Sequence, residues 1–452
     1  VYPNLPGTPA AIHFPPLYPL ILAPLFRFLP TPAAGMAGRA LGIVCFALAC
    51  RLITRHAVRL QLLGEGVPAW VTEAVVAGTA LAIPVLSILG VLLSEPLFTL
   101  AFAGALALVD RPKEQWSPRL APGVGLLAAA ALLLRSVGVA VAGGALIHAW
   151  RIGLNRRLAA ALALPALLAG IAWGLWVLAH GGGIDPAIRP PYGSYLEIVH
   201  DAGLRTLAGS LADLPRPLSV LTLNWVPSRA VYYGLGIPAL IVGLTGLVLL
   251  ARRSALGWML ILYLAVLSLW PFPPDRFLWA ILPWLALAWA AGAAGLWRSR
   301  VRSIQVPVAV LTALLAFGYV RYEARGLANH WWDLTATRIS ANLTELLPAI
   351  DSLPADAVVA TDNDPLVWLY THRRAVPFYL YAYSGRQLLQ PLPDFQMSYL
   401  RRVGVTHVLI SGLGTGSAEQ LDRLLGAYPG VFTVVRRWSN GRALFEVRRD
   451  HP

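Results

Sequence analysis

One carboxylate opens a long apolar stretch. In L-S-E-P-L-F-T-L-A-F-A-G-A-L-A-L-V, from Leu93 to Val109, Glu95 sits at the start and Pro96 follows in the first helical turn, where its missing N–H costs nothing. Ser94 is a candidate N-cap. An ionisable group at the mouth of an apolar span is expensive unless it faces a polar cavity or a partner, which makes Glu95 a candidate for chemistry. A capping acid that complements the helix dipole is the alternative, and position alone leaves both open. Two arginines stand in comparable places: Arg135 between two apolar segments and Arg276 between two others. Arginine near a membrane surface pairs with an acid or binds a phosphate; otherwise it lies as an interfacial snorkeller. For Arg276 the adjacent Asp275 offers a purely structural partner. His13 stands with Pro15, Pro16 and Tyr18 ahead of a short apolar helix, as a structural histidine or a ligand. Together these types offer base or acceptor chemistry at a carboxylate and anion binding at two guanidiniums.

Other patterns are weaker. Gly412-Leu413-Gly414-Thr415-Gly416 follows a strand and precedes a helix, as a dinucleotide fingerprint does. Its spacing is G-x-G-x-G, and no carboxylate ends a second strand about 20 residues on, so an ordinary turn is the better reading. Asp362, Asn363 and Asp364 follow the strand Val358 to Ala360; they read as a helix cap before a ligand or metal site. Cys45 and Cys50, five apart in one apolar span, read as packing residues, with no disulfide framework.

Something must hold these groups in place, and composition says what. The chain has 452 residues, 57% of them hydrophobic and 13% charged, with a mean hydropathy of +0.63. A soluble domain carries about 25% charged residues. The pattern is that of a polytopic α-helical membrane protein. The net charge of +14 is almost wholly arginine, with Lys113 the one lysine. The arginines cluster in short loops between apolar spans, a positive-inside pattern that argues against nucleic acid as the partner.

Residues 1–32 read as the end of an outer loop, closed by an interfacial helix at Leu17 to Phe28, with Tyr18 and Arg27 as anchors. Spans follow at Ala33 to Ile53, Trp70 to Leu93, Glu95 to Val109, Ala121 to Leu134, Val137 to Trp150, Leu158 to Ala179, Val231 to Leu250, Gly257 to Trp270, Phe277 to Leu296 and Ile304 to Val320. That is about ten transmembrane helices within residues 33–320, with a long outer loop at 180–229 holding an amphipathic stretch at Tyr195 to Leu211. Arginine clusters follow Ile53, Val109, Trp150, Leu250 and Leu296. This parity puts the loops with Glu95, Arg135, Gly181 to Gly183 and Asp275 on the opposite, outer face. Residues 321–452 read as a small soluble α/β domain outside the cell membrane. Its strands are Val358 to Ala360, Val405 to Ile410, Val431 to Arg436 and Ala443 to Arg448, and its helices Asp364 to Tyr370 and Ser417 to Leu425. The last two strands are joined by a Ser439-Asn440-Gly441 turn. Val1 is not an initiator Met, and the Pro-rich opening suggests an N-terminal truncation.

In order and sidedness these pieces resemble the GT-C superfamily of polyprenyl-phosphate-dependent glycosyltransferases, in particular the bacterial relatives of protein mannosyltransferases and of the aminoarabinose transferase of lipid A. The matching segments are H-F-P-P-L-Y-P-L (His13 to Leu20), L-S-E-P-L-F (Leu93 to Phe98), L-L-R-S-V-G (Leu133 to Gly138) and P-D-R-F-L-W-A-I-L-P-W-L-A-L (Pro274 to Leu287). In the tail they are D-A-V-V-A-T-D-N-D-P-L-V-W-L-Y-T-H-R-R-A-V (Asp356 to Val376) and V-G-V-T-H-V-L-I (Val403 to Ile410). The resemblance implies transfer of a sugar from a polyprenyl-phosphate carrier to a lipid, glycan or protein acceptor at the outer face of the cell membrane. It puts the catalytic carboxylate just after a first span, upstream of Val1. It implies acceptor binding, or a divalent metal ion, at Glu95, with His13 nearby. Arg135 and Arg276 would hold the carrier phosphate, supported by Tyr18 and Asp275. The alternatives are a lipid-linked saccharide flippase or other transporter, and a non-catalytic membrane protein. A transporter would call for ionisable groups deep in the spans and an internal repeat, whereas the polar residues here sit at span ends.

Overall fold

In the computed structural model the chain is mostly helical, with one small mixed sheet and one short hairpin. The structure describes residues 1–203, 205–212, 229–272, 274–299, 301–412, 415–439 and 441–448. They form two compact units. A helical unit takes Pro15–Leu175 and the described parts of Thr206–Asp333; a sheet unit takes Val1–Phe14, Trp176–Arg205 and the chain from Leu334 onward.

The chain is a membrane protein. Among the described residues, four helices are long and apolar enough to cross a bilayer: Thr31–Arg59, Arg156–Gly183, Tyr233–Arg253 and Arg302–Ala328. A fifth crossing is available where Ala69–Ala80 and Ile83–Leu89 meet at a bend of 59°. The expected single span Trp70 to Leu93 is thus broken. Pro84 lies in the first turn of the second piece, where its ring suits a helix start, and the Ile83 N–H at the break donates to Glu323 Oε2 at 2.7 Å. Several other expected spans are apolar helices shorter than a full crossing. The helices around the site, long and short, are α1 (Leu17–Phe28), α2 (Thr31–Arg59), α3 (Glu95–Val109), α4 (Leu120–Leu134), α5 (Val139–Arg151), α6 (Ala255–Ser268), α7 (Asp275–Ala280) and α8 (Leu282–Trp297).

Small residues let these helices approach closely, as membrane helices must when lipid supplies no hydrophobic drive between them. A Cβ on Gly246 would stand 1.7 Å from the Ala288 carbonyl oxygen, and one on Gly292 2.0 Å from that of Val242. Around α3 the core is aromatic: Phe98, Phe102, Tyr263 and Trp284 are fully buried, with Phe102 and Trp284 ring centres 4.2 Å apart. Cys45 packs in this core, and both cysteines are free thiols.

The basic loops converge on one end of the unit. Arg298 Nη2 donates to the Leu63 carbonyl at 2.7 Å, and Arg151 Nη1 donates to that of Ala251. Asp110, the residue that ends α3, joins the same end. Its carboxylate lies 3.0 Å from His56 Nε2 and 3.3 Å from His148 Nε2, and it accepts from Ser254 Oγ and, at 2.7 Å, from the Ala255 N–H. Asp110 therefore caps α6 from a neighbouring helix.

In the sheet unit the strands are β1 (Val358–Thr361), β2 (Arg374–Pro377), β3 (Ala382–Ser384), β4 (Gln387–Leu389), β5 (His407–Ile410), β6 (Phe432–Arg437) and β7 (Ala443–Val447). The five-stranded sheet runs β2-β1-β5-β7-β6. β1 is parallel to both neighbours, and β7 is antiparallel to β5 and β6. The expected strands are present, and β2 and the β3–β4 hairpin are additional. Helices α9 (Asp364–Thr371), α10 (Pro393–Arg402) and α11 (Thr415–Ala427) connect them. The unit draws on distant segments: the Ala375 N–H donates to the Asn4 carbonyl, and Arg402 forks onto Asp185 at 2.8 and 2.9 Å. It is thus not the C-terminal stretch alone, and Arg302–Ala328 runs as one helix through the expected boundary at 321. The amphipathic stretch expected at Tyr195 to Leu211 is two helices, Tyr195–Ala202 and Arg205–Ala212, parted at Gly203 with φ 62°. Within the glycine-rich segment after β5, Leu413 and Gly414 lie outside the described residues, as does Asn440 of the β6–β7 turn.

Candidate active site

Three residues far apart in sequence meet in the helical unit. Glu95 opens α3, Arg135 ends α4 and Arg276 lies in the first turn of α7. Glu95 Oε1 accepts from Arg135 Nη1 at 2.7 Å and from Arg276 Nε at 2.5 Å. Both arginines thus share one carboxylate oxygen in charge-assisted bonds. Arg276 pairs with Glu95, an acid 181 positions away.

Burial distinguishes the three. Glu95 is 1% exposed and the Arg135 side chain 9%, whereas the Arg276 side chain is 49% exposed. Arg135 is fixed twice more: Nη1 also reaches Ser94 Oγ at 3.3 Å, and its guanidinium lies 4.6 Å from the centre of the Phe277 ring. Ser94 makes no cap bond with its side chain. The capping readings for Ser94 and Glu95 give way to an ion triad, because two cations attract the carboxylate more strongly than one helix end. Thr99 Oγ1 ties the start of α3 to α7 by bonding the carbonyls of Glu95 and Ala280, at 2.8 and 3.0 Å. Tyr18 of α1 lies within electrostatic reach of Glu95 and Arg276. Asp275 is the first residue of α7 and also has a partner.

Two buried polar atoms of the triad have no hydrogen-bond partner, Glu95 Oε2 and Arg135 Nε. Such atoms are uncommon in a folded interior and mark where a ligand or water completes the network. Two guanidiniums against one carboxylate leave the triad with one excess positive charge, carried outward on the half-exposed Arg276. The arrangement can receive a hydroxyl at Glu95 Oε2 and an anion at Arg276. It does not fit a divalent metal ion: Glu95 is already shared by two cations, and among the described residues no three His, Cys, Asp or Glu side chains cluster to hold one.

His13 belongs to the sheet unit, and its contacts are made there. Its Nδ1 donates to the Gly193 carbonyl at 2.6 Å, and its ring stacks between Phe14 and Tyr195, each 4.4 Å away centre to centre. That bond places the proton on Nδ1. Burial drives its pKa down to about 4, opposed by the Gly193 carbonyl, so the ring is neutral at pH 7 with a lone pair on Nε2.

Sequence reasoning missed the Asp110 cluster and the partners of Asp364. Asp110 stands just past one apolar span, and His56 and His148 lie in the last turns of α2 and α5, so an acid and two histidines at span ends of one parity were the available signal. Asp364 Oδ2 accepts from Asn4 Nδ2 at 2.9 Å and from the Tyr192 hydroxyl. No side chain of the Asp362–Asp364 segment makes the expected bond to cap α9.

Compared with known proteins, the chain matches no family model and no curated protein. Among solved structures it is similar to the Archaeoglobus fulgidus oligosaccharyltransferase tethered with an acceptor peptide containing the NVT sequon, with 13% identity and a TM-score of 0.45. That similarity covers 97% of this chain and 66% of the archaeal one, so the chain spans just under two thirds of its length.

Proposed function

We propose that this protein is a membrane glycosyltransferase that takes a sugar from a polyprenyl-phosphate carrier and passes it to an acceptor hydroxyl at the outer face of the membrane. The reading rests chiefly on Arg276: its Nε is spent on Glu95, while the rest of its guanidinium is half exposed and carries the excess charge of the triad. A departing polyprenyl phosphate gains negative charge as the glycosidic bond breaks. A fixed guanidinium therefore stabilises the transition state more than the ground state. Glu95 acts as the orienting group. It holds Arg276 in one geometry before the donor arrives, and its second oxygen accepts a hydrogen bond from the acceptor. Arg135, buried and bonded to Ser94, anchors Glu95.

Sidedness supports the same reading. Positive-inside bias assigns the arginine-rich end to the cytoplasm and the triad's end to the outside. The motif resemblance, from His13 to Ile410, supplies the donor class. The test is binding of a labelled polyprenyl phosphate to the protein in lipid nanodiscs. Arg276→Gln should weaken it about tenfold or more, the value of one charge-assisted bond. Equal binding by wild type and variant would remove Arg276 from the donor site and the proposal with it. Transfer of a labelled sugar from a polyprenyl-phosphate donor then separates an enzyme from a carrier-binding protein.

A further inference from the structure

The sheet unit holds a second site, independent of the glycosyl-transfer reading. β1 leads through α9 to β2 on one side of the sheet, while β5, its other neighbour, leads through α11 to β6 and β7 on the far side. The crevice at the carboxyl ends of β1 and β5 is therefore a topological switch point, the place where open α/β sheets bind ligands. A cavity of about 280 Å³ lies there, lined among others by Asp362, Asp364, Tyr379, Tyr381 and Ser417.

Two polar atoms of this lining are left over. Ser417 is 1% exposed, and its hydroxyl has no hydrogen-bond partner. Asp362 Oδ2 is also buried and unpartnered, while Oδ1 accepts from Ser411 Oγ at 2.6 Å and Asn363 Nδ2 at 3.3 Å. The Asp362 carboxylate is thus locked in orientation through Oδ1, and Oδ2 is left without a hydrogen-bond partner beside the cavity. Opposite are the rings of Tyr379 and Tyr381, 5.5 Å apart centre to centre. Tyr379 owes its place to Gly416: a Cβ there would stand 2.3 Å from the ring.

These features select a ligand class. A locked acceptor oxygen and a free hydroxyl match vicinal hydroxyl groups, and aromatic faces match the C–H face of a sugar ring. Carboxylates repel phosphates and other anions. Among the described residues no set of three His, Cys, Asp or Glu side chains offers a cation site. Burial also pushes Asp364 up to about 7, so the cavity is less anionic than its composition suggests. The volume lies just under the range of small-molecule pockets, about 300–1,000 Å³, which suits one sugar ring and excludes a nucleotide. We propose that this switch-point cavity binds a single neutral pyranose, through Asp362 and Ser417 on its hydroxyls and through Tyr379 or Tyr381 on its face.

The test is saturation-transfer NMR on the full chain in lipid nanodiscs, free of maltoside detergent. The probes are methyl α-D-mannopyranoside, methyl α-D-glucopyranoside and methyl β-D-galactopyranoside. At least one should receive saturation, with affinity falling about tenfold in Ser417→Ala and in Gly416→Ala and staying unchanged in Arg276→Gln. Circular dichroism confirms that a variant remains folded; if one does not fold, Asp362→Asn takes its place. No transfer to any glycoside, or transfer lost only in Arg276→Gln, would overturn the proposal. So would calcium or inorganic phosphate binding that depends on Ser417.

Discussion

Asp364 gives a quantitative handle on the sheet unit. It sits at the first position of α9, 7% exposed, and burial lifts its pKa from 3.8 to about 7, aided by the nearby charge of Asp362 and opposed by the bonds from Tyr192 and Asn4. In the unfolded chain this group loses its proton near pH 4; in the folded protein it keeps it to about 7. Between those values the native state binds more protons, so its contribution to stability is complete below pH 4 and is lost as pH rises to 7. At about 1.4 kcal/mol per pH unit, the separation amounts to ~4 kcal/mol. His13 works in the opposite sense. Its pKa is depressed to about 4, so its term is lost as pH falls, and the wild-type profile alone mixes the two. The difference between wild type and Asp364→Asn isolates the carboxyl. The assay is hydrogen exchange of the β1 and β2 amides in the full chain, corrected for intrinsic rates. The two proteins should match near pH 4, and the variant should be better protected by up to ~4 kcal/mol at pH 8. A difference that does not change with pH would refute the reasoning.

Glu95→Gln should cost about 3–5 kcal/mol in the stability of the helical unit, because it strands the buried Arg135 without its counter-ion. Thermal unfolding in nanodiscs within 1 °C of wild type would show that the triad is not a structural anchor. Gly246→Ala should destabilise by about 1–3 kcal/mol, since the added carbon cannot coexist with the Ala288 carbonyl unless the helices part. Gly78→Ala, at a position with nothing within 4 Å, is the control and should leave thermal stability unchanged.

The meeting of Glu95, Arg135 and Arg276 was legible because loop charge follows a global rule: loops of one parity share a face, and ions on one face can meet. Which ions pair was not legible, since adjacency favoured Asp275 for Arg276 and only the fold brings Glu95 to it. Strands β1, β5, β6 and β7 announced themselves as apolar runs. β2 did not, being four residues ending in Pro377, and the hairpin around Gly385 is hidden in a tyrosine-rich run. Least legible was the composite sheet unit. Asn4, Tyr192 and Asp364 bond one another across 188 and 360 positions, and no periodicity or spacing encodes such a contact. Asp362 illustrates a subtler failure. An acid after a strand is as good a cap as a ligand by sequence, and what separates the two is which hydrogen bonds its neighbours leave unmade.

Helix α3 has a further consequence. It is bounded by charge at both ends, with Glu95 and its arginines at one and Asp110 and its histidines at the other. Fifteen residues rise only about 22 Å, whereas the hydrocarbon layer is about 30 Å thick. The helix is almost wholly buried among its neighbours, so the charge at its two ends is held by protein partners rather than met by lipid.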